Sequence, residues 1–244
     1  MNPPNQVHIK SYPTDDTLAA AAAAMWLDGI AAATAAGRDF SVAVSGGRVM
    51  RKVFAHTAQL AATRGVDFSR VHFFWADERC VAPDDAESNF RVAYQALLQP
   101  ARISNENIHR VRGEVAPATA AQAATMELRR YCGVAGGTPP ALDLVLLGMG
   151  EDGHVASLFP DAAASEADLS AVFLPVYQAP KPPPNRVTLG HAPLAAARAV
   201  WVLASGKGKQ AALRHSLAAA GSTPLARVIQ RRAVTTIFTD IQGL

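Results

Sequence analysis

GMGEDGHVASLFP, residues 148–160, sets a histidine two positions after an aspartate, among glycines. Imidazole is the side chain that takes up and returns a proton near neutral pH, and a carboxylate two residues away can orient or polarise it. His154 and Asp152 are therefore a candidate acid–base pair, reached along a tight path made by Gly148, Gly150 and Gly153. LDLVLL immediately before reads as a buried strand, so the histidine leaves the sheet at a strand exit. It is expected in the first turn of a helix, whose positive end would favour the neutral imidazole. A lone histidine is more often a packing residue than a catalytic one, and the glycine-lined exit is what favours chemistry here.

Three further places open from a strand into charge. In AVSGGRVM, Ser45, Gly46 and Gly47 follow an apolar run and precede a helix. Glycines let the backbone approach a ligand, free N–H groups at a helix start suit an anion, and Arg48 would add charge. A plain strand-to-helix turn is the competing reading, and neither a Walker loop nor a dinucleotide fingerprint is spelled here. In WADERCVAPDDAESNFR, Asp77, Glu78 and Arg79 sit at a strand's carboxyl end, where Arg79 could grip a phosphate or carboxylate with its planar fork. The competing reading is a structural ion pair, with Ser88 or Asn89 capping the next helix. The last place is a pair of cation sites, Arg186 in NRVTLG and Lys207 and Lys209 in ASGKGKQ. The remaining histidines (8, 56, 72, 109, 191 and 215) lack such surroundings and read as packing or surface residues. Together these residues call for a phosphorylated small molecule and acid–base chemistry without a metal.

The bulk composition narrows the field. A net charge of +3 over 244 residues, with no basic run longer than the arginine pairs at 129–130 and 231–232, argues against a nucleic-acid groove. Two cysteines, Cys80 and Cys132, make neither a disulfide framework nor a metal site, and a reducing cytoplasm is expected. MNPPNQVHIK has no apolar core and does not read as a leader. LAAAAAAMWL, residues 18–27, reads as a packed alanine helix too short to span a bilayer.

The elements that must position these residues alternate. A helix is predicted from an N-cap at Thr14 to Gly37, then a short β-rich run over 40–47 that opens into glycines, helix 49–64, strand 71–76, and a helix near 89–98. IHRV, residues 108–111, is predicted as a short strand and 117–132 as a helix. Strands follow at LDLVLLG, AVFLPV, AVWVLAS and AVTTIFTD, with a helix over 207–219 and a rigid proline loop over 178–184. Alternation of this kind implies an α/β fold, an open, mostly parallel Rossmann-like sheet with helices on both faces, as one domain over 1–244. Ligands of such sheets bind beyond the strands' carboxyl ends.

DERCVAPDDAESNFR with GMGEDGHVASLFP resembles the 6-phosphogluconolactonase family, and SGG, RVTLG and the G-x-x-K of Gly206–Lys209 extend the likeness along nearly the whole chain. The resemblance implies hydrolysis of 6-phospho-D-glucono-1,5-lactone to 6-phosphogluconate in the oxidative pentose phosphate pathway. It implies a sugar-phosphate lactone as the small-molecule partner, no cofactor, metal, nucleic acid or membrane, and a monomer or weak dimer. By that likeness His154 is the general base and Asp152 its orienter. Ser45, Gly46, Gly47, Asp77, Arg79, Gly150, Arg186 and Lys209 would hold the substrate. The first loop departs from the family's usual SGGSTP: Arg48, Val49 and Met50 replace two hydroxyl side chains and a proline, and Arg48 is expected either to stand in as a phosphate ligand or to fill the pocket. Two other readings remain open. One is a glucosamine-6-phosphate deaminase-like isomerase, whose histidine is usually followed by an FNEP-like stretch rather than SLFP. The other is a non-catalytic sugar-phosphate-binding protein, which would normally carry a DNA-binding helix-turn-helix that the 39 residues before the first predicted strand leave no room for.

Overall fold

The computed structural model describes residues 5–160 and 169–244. Five apolar runs form parallel strands: β2 (Phe40–Val44), β3 (Val71–Trp75), β5 (Leu144–Gly148), β8 (Ala199–Ala204) and β9 (Val234–Thr239). Their side chains are mostly buried, as befits strands covered by helices. They pair in one sheet of order β1-β9-β8-β5-β2-β3, parallel throughout, with Val42 opposite Leu144 and Leu146 opposite Trp201. The edge strand β1 (Gln6–Ser11) was not anticipated: a strand, not only a helix, occupies the N-terminal stretch, in register with β9.

Helices are α1 (Asp15–Ala35), α2 (Arg48–Arg64), α3 (Asn89–Ala93), α4 (Pro117–Cys132), α5 (His191–Ala196), α6 (Gln210–Leu217) and α7 (Pro224–Gln230). Thr14 caps α1 as predicted, through a reciprocal pair with Thr17. At 21 residues α1 is longer than the alanine run suggested, and long and apolar enough to cross a bilayer. Its Leu18, Trp26, Leu27 and Ile30 are instead buried in the core, Trp26 meeting Phe73 edge-on at 6.1 Å. Three expectations are corrected. Residues 108–111 form no strand; only Ile108 bridges Phe73. The helix after Ser88 loosens into a π-turn at Tyr94–Leu98, and the one after Gly206 begins as a 3₁₀ turn, Lys207–Lys209, and ends at Leu217, with α7 a separate element.

A second, three-stranded antiparallel sheet was also unforeseen. It joins β4 (Asp77–Arg79), β7 (Arg186–Leu189) and β6 (Phe173–Val176). Its register sets Arg79 directly opposite Arg186. In the main sheet the chain runs from β2 outward to β3 and then returns to β5 on the other side of β2, so the crevice between β2 and β5 is the switch point where such sheets bind ligands.

Candidate active site

The exits of β2, β3, β5 and β8 enclose a cavity of about 350 Å³. It is lined by Ser45, Gly46, Gly47, Arg48, Asp77, Arg79, Gly150, His154, Arg186 and Lys209, so every expected site residue except Asp152 reaches it. Asp152 stands behind the histidine. Its Oδ1 lies 2.6 Å from His154 Nδ1 and accepts the His154 backbone N–H at 3.1 Å. Burial alone would raise that carboxyl; the two hydrogen bonds from His154 hold it below its ordinary value. With Nδ1 so engaged, His154 Nε2 has no protein partner among the described residues.

His154 is not at a helix start. Gly153 (φ 80°) and Ala156 (φ 50°) turn the chain left-handed, Val155 bridges both Met149 and Leu158, and the His154 carbonyl accepts the Gly150 N–H at 2.9 Å. The histidine therefore owes nothing to a helix dipole. Its ring packs at 4.8 Å against Phe159, whose other neighbour is the Arg186 guanidinium at 5.6 Å. Gly150 is obligatory here, because a Cβ on it would collide with the His154 ring and Asp152 Oδ1.

Around this pair the charges fall into two groups. At one end are Arg48, opening α2 after Gly47 (φ 110°), and Lys209. No side chain caps α2, which leaves its first N–H groups free for an anion, and the buried Ser45 hydroxyl beside them has no partner. Burial, then the neighbouring Arg48, depresses the Lys209 ammonium, as does Lys181; Glu151 opposes them. At the other end are Arg79 and Arg186, with Asp77, whose Oδ2 accepts the Ser157 hydroxyl at 2.8 Å. Burial, then Arg79, depresses Arg186. Arg79 has one ion pair, Nη1 with Glu87 Oε2 at 3.6 Å, and the crowding of like charge that remains is unfavourable unless an anion arrives to offset it.

The DER triplet divides its labour. Glu78 is 2% exposed, and burial pushes its carboxyl up to about 7 although it accepts N–H groups from Arg79, Asn89 and Phe90. It pins the loop through hydrogen bonds, not through an ion pair of its own; the pair between the triplet and the acidic loop is Arg79 with Glu87, at 3.6 Å. Arg79 donates through Nη1 to the Glu87 carbonyl at 2.8 Å, while its buried Nε is unpartnered. Arg186 reaches the cavity but spends Nε and Nη2 on the carbonyls of Pro183 and Lys181. Lys207 does not line the cavity, whereas four polar side chains not singled out as ligands do: Asn89, Glu151, Lys181 and Ser205. Asn89 had been read only as a possible cap, a role Ser88 fills. Its amide bonds the Asp77 carbonyl and fills the space a Cβ on Gly46 would need.

The chain matches the family model described as glucosamine-6-phosphate isomerases/6-phosphogluconolactonase over residues 13–238. It is 34% identical over 234 residues to the 6-phosphogluconolactonase of Mycobacterium tuberculosis, covering 92% of both chains. The 6-phosphogluconolactonase structure from Leishmania guyanensis superposes with a TM-score of 0.83 at 27% identity, over 98% of this chain and 99% of that one. A monomeric glucosamine-6-phosphate deaminase superposes at 0.79 over 95% and 97%, but at 18% identity it shares the fold alone.

Proposed function

The chain belongs to the glucosamine-6-phosphate isomerase/6-phosphogluconolactonase family, and from that premise we propose how it opens its lactone. The substrate is 6-phospho-D-glucono-1,5-lactone, the product 6-phosphogluconate, and the reaction an ester hydrolysis of the pentose phosphate pathway. His154 Nε2 takes a proton from a water whose oxygen attacks C1, and the carbonyl electrons move onto its oxygen. Collapse of the tetrahedral oxyanion re-forms the carbonyl and breaks the bond from C1 to the ring oxygen, which leaves with the proton returned by His154. The new acid then ionises.

Asp152 fixes the tautomer, since a carboxylate at Nδ1 requires the proton there and leaves Nε2 as the base. Arg79, with its free Nε, is the donor for the developing oxyanion. Asp77 and the Gly150 loop take the sugar hydroxyls and ring. The phosphate lies at the far end on Ser45, Gly46, Gly47, Arg48 and Lys209. There Arg48 replaces the hydroxyls of the usual loop with a fixed, planar charge. Holding the substrate by this remote group orients the carbonyl toward the base. Arg186 contributes charge beside Arg79 and packs on Phe159.

The observation that carries the reading is the unpartnered Nε2 of an imidazole held at 2.6 Å by a carboxylate within a cation-lined cavity. Freshly prepared lactone is the test, with its spontaneous opening subtracted and glucosamine 6-phosphate in a parallel assay. Enzymatic opening that disappears in His154→Ala supports the mechanism. Ammonia release would assign a deaminase instead, and tight binding without turnover a sensor.

A further inference from the structure

The loop from Tyr177 to Asn185 joins β6 to β7 and contains four prolines, at 180, 182, 183 and 184. Proline has no backbone N–H, so such a loop cannot tie down its own carbonyls. It makes one internal backbone bond, from the Ala179 N–H to the Pro184 carbonyl at 2.8 Å. Cys80 gives its backbone N–H to the Asn185 carbonyl at 2.9 Å, and further donors come from Arg186, a side chain only 4% exposed, which gives Nη2 to the Lys181 carbonyl at 2.8 Å and Nε to the Pro183 carbonyl at 3.1 Å. A guanidinium has a rigid fork of donors, so two such bonds fix the loop's direction as well as its position.

What the fixed loop presents is Lys181. Its side chain lines the catalytic cavity, has no hydrogen bond or ion pair to the described residues, and shares the electrostatic neighbourhood of Lys209 with Arg48. Three cations thus face one end of the cavity, with Glu151 lining it among them and Asp240 also acting on Lys209. One phosphate dianion matches that charge better than any neutral part of a sugar does.

We propose that Lys181, carried on the proline loop, is a ligand for the substrate phosphate, and that Arg186 is the positioning residue that holds the loop and its lysine over the cavity. This deepens the proposed function and rests on its placement of the phosphate. Arg186 then acts on the phosphate through Lys181, although the likeness to the family would make it a direct ligand. Arg79, its cross-strand neighbour, keeps its role at the lactone carbonyl.

The test uses Lys181→Met, Lys181→Arg, Arg186→Lys and the double variant Lys181→Met/Arg186→Lys, with KM and kcat for the phosphorylated lactone and calorimetric affinity for 6-phosphogluconate. Losing a charge-assisted contact is expected to raise KM and weaken product binding about 10- to 100-fold in Lys181→Met, with kcat changed little. Lys181→Arg should recover most of it. Arg186→Lys should raise KM on its own yet add little once Lys181 is gone, because the two act along one path. A KM and product affinity within about twofold of wild type in Lys181→Met would overturn the ligand role. Multiplying effects in the double variant would overturn the positioning role. Should the wild type open no lactone at all, the proposed function falls, and 6-phosphogluconate affinity alone still decides Lys181.

Discussion

Two histidine–carboxylate pairs in this molecule have nearly the same geometry. His154 Nδ1 lies 2.6 Å from Asp152 Oδ1, and His109 Nδ1 lies 2.8 Å from Glu127 Oε1. Each histidine also lines a cavity, and His109 has the larger, about 660 Å³ against 350 Å³. The difference lies at the second ring nitrogen. His109 Nε2 meets His72 Nδ1 at 3.1 Å, and its ring stacks on Phe74 at 4.4 Å with the planes 6° apart. Glu127 requires the proton on Nδ1 of His109, so Nε2 is left to accept from His72; both nitrogens are consumed in holding the loop beside β3 to α4. His154 has the same carboxylate and nothing beyond it. A short histidine–carboxylate contact or a roomy cavity therefore does not distinguish the two histidines; the unspent Nε2 facing convergent charges does, and on it rests the proposal of His154 as the base.

The sharpest way to break that comparison is to remove each imidazole. His154→Ala is expected to lower kcat by about 10²–10⁴, the usual worth of a general base. His109→Gln should leave kcat within about twofold and cost instead a few degrees of Tm, the signature of a buried hydrogen bond lost. Equal losses of kcat in the two variants would erase the distinction. Next in size is Gly150→Ala, whose methyl displaces the His154 ring and Asp152 Oδ1 while leaving both groups in the chain. A kcat lowered about 10²-fold with the fold intact by circular dichroism is expected, as misplacing a reacting group costs on this order. Smaller again is Asp152→Asn, which keeps the shape and removes the charge that holds the tautomer. A drop of about tenfold or more in kcat with little change in KM is expected, and steady-state kinetics at saturating lactone would read it.

How far the sequence went can be argued from the same residues. The glycine-rich exits after β2 and β5 were legible because a buried apolar run ending in glycine is a local pattern, and the switch point follows from strand alternation. The helix expected at His154 was wrong because Gly153 and Ala156 adopt positive φ to aim the ring, a choice set by Phe159 and the cavity rather than by propensity. β1 was missed because QVHIKS is half polar and largely exposed; only pairing with residues 234–239, far along the chain, makes it a strand. β4 is three residues long and exists through β7, so the Arg79–Arg186 juxtaposition is tertiary. Lys181 was invisible as a ligand for a related reason. The loop's stiffness is written in its prolines, but its direction is set by the two carbonyls Arg186 selects.

The smallest expected effect is on stability against pH, and it separates packed histidines from a working one. Burial holds His72 and His109 below the ordinary 6.5, and burial with Arg231 and Arg227 nearby holds His191 down to about 4. Above 6.5 each is neutral whether the chain is folded or not, so their contribution to stability is fully present. As pH falls below 6.5 the unfolded chain takes up protons that the folded one refuses, and stability declines, for His191 until about 4. Melting curves should therefore show Tm falling between these limits. His191→Leu should flatten that fall, since the substitution removes the proton uptake of the unfolded chain while keeping an apolar side chain against α7. A slope unchanged in His191→Leu would mean the ring is already charged in its buried place.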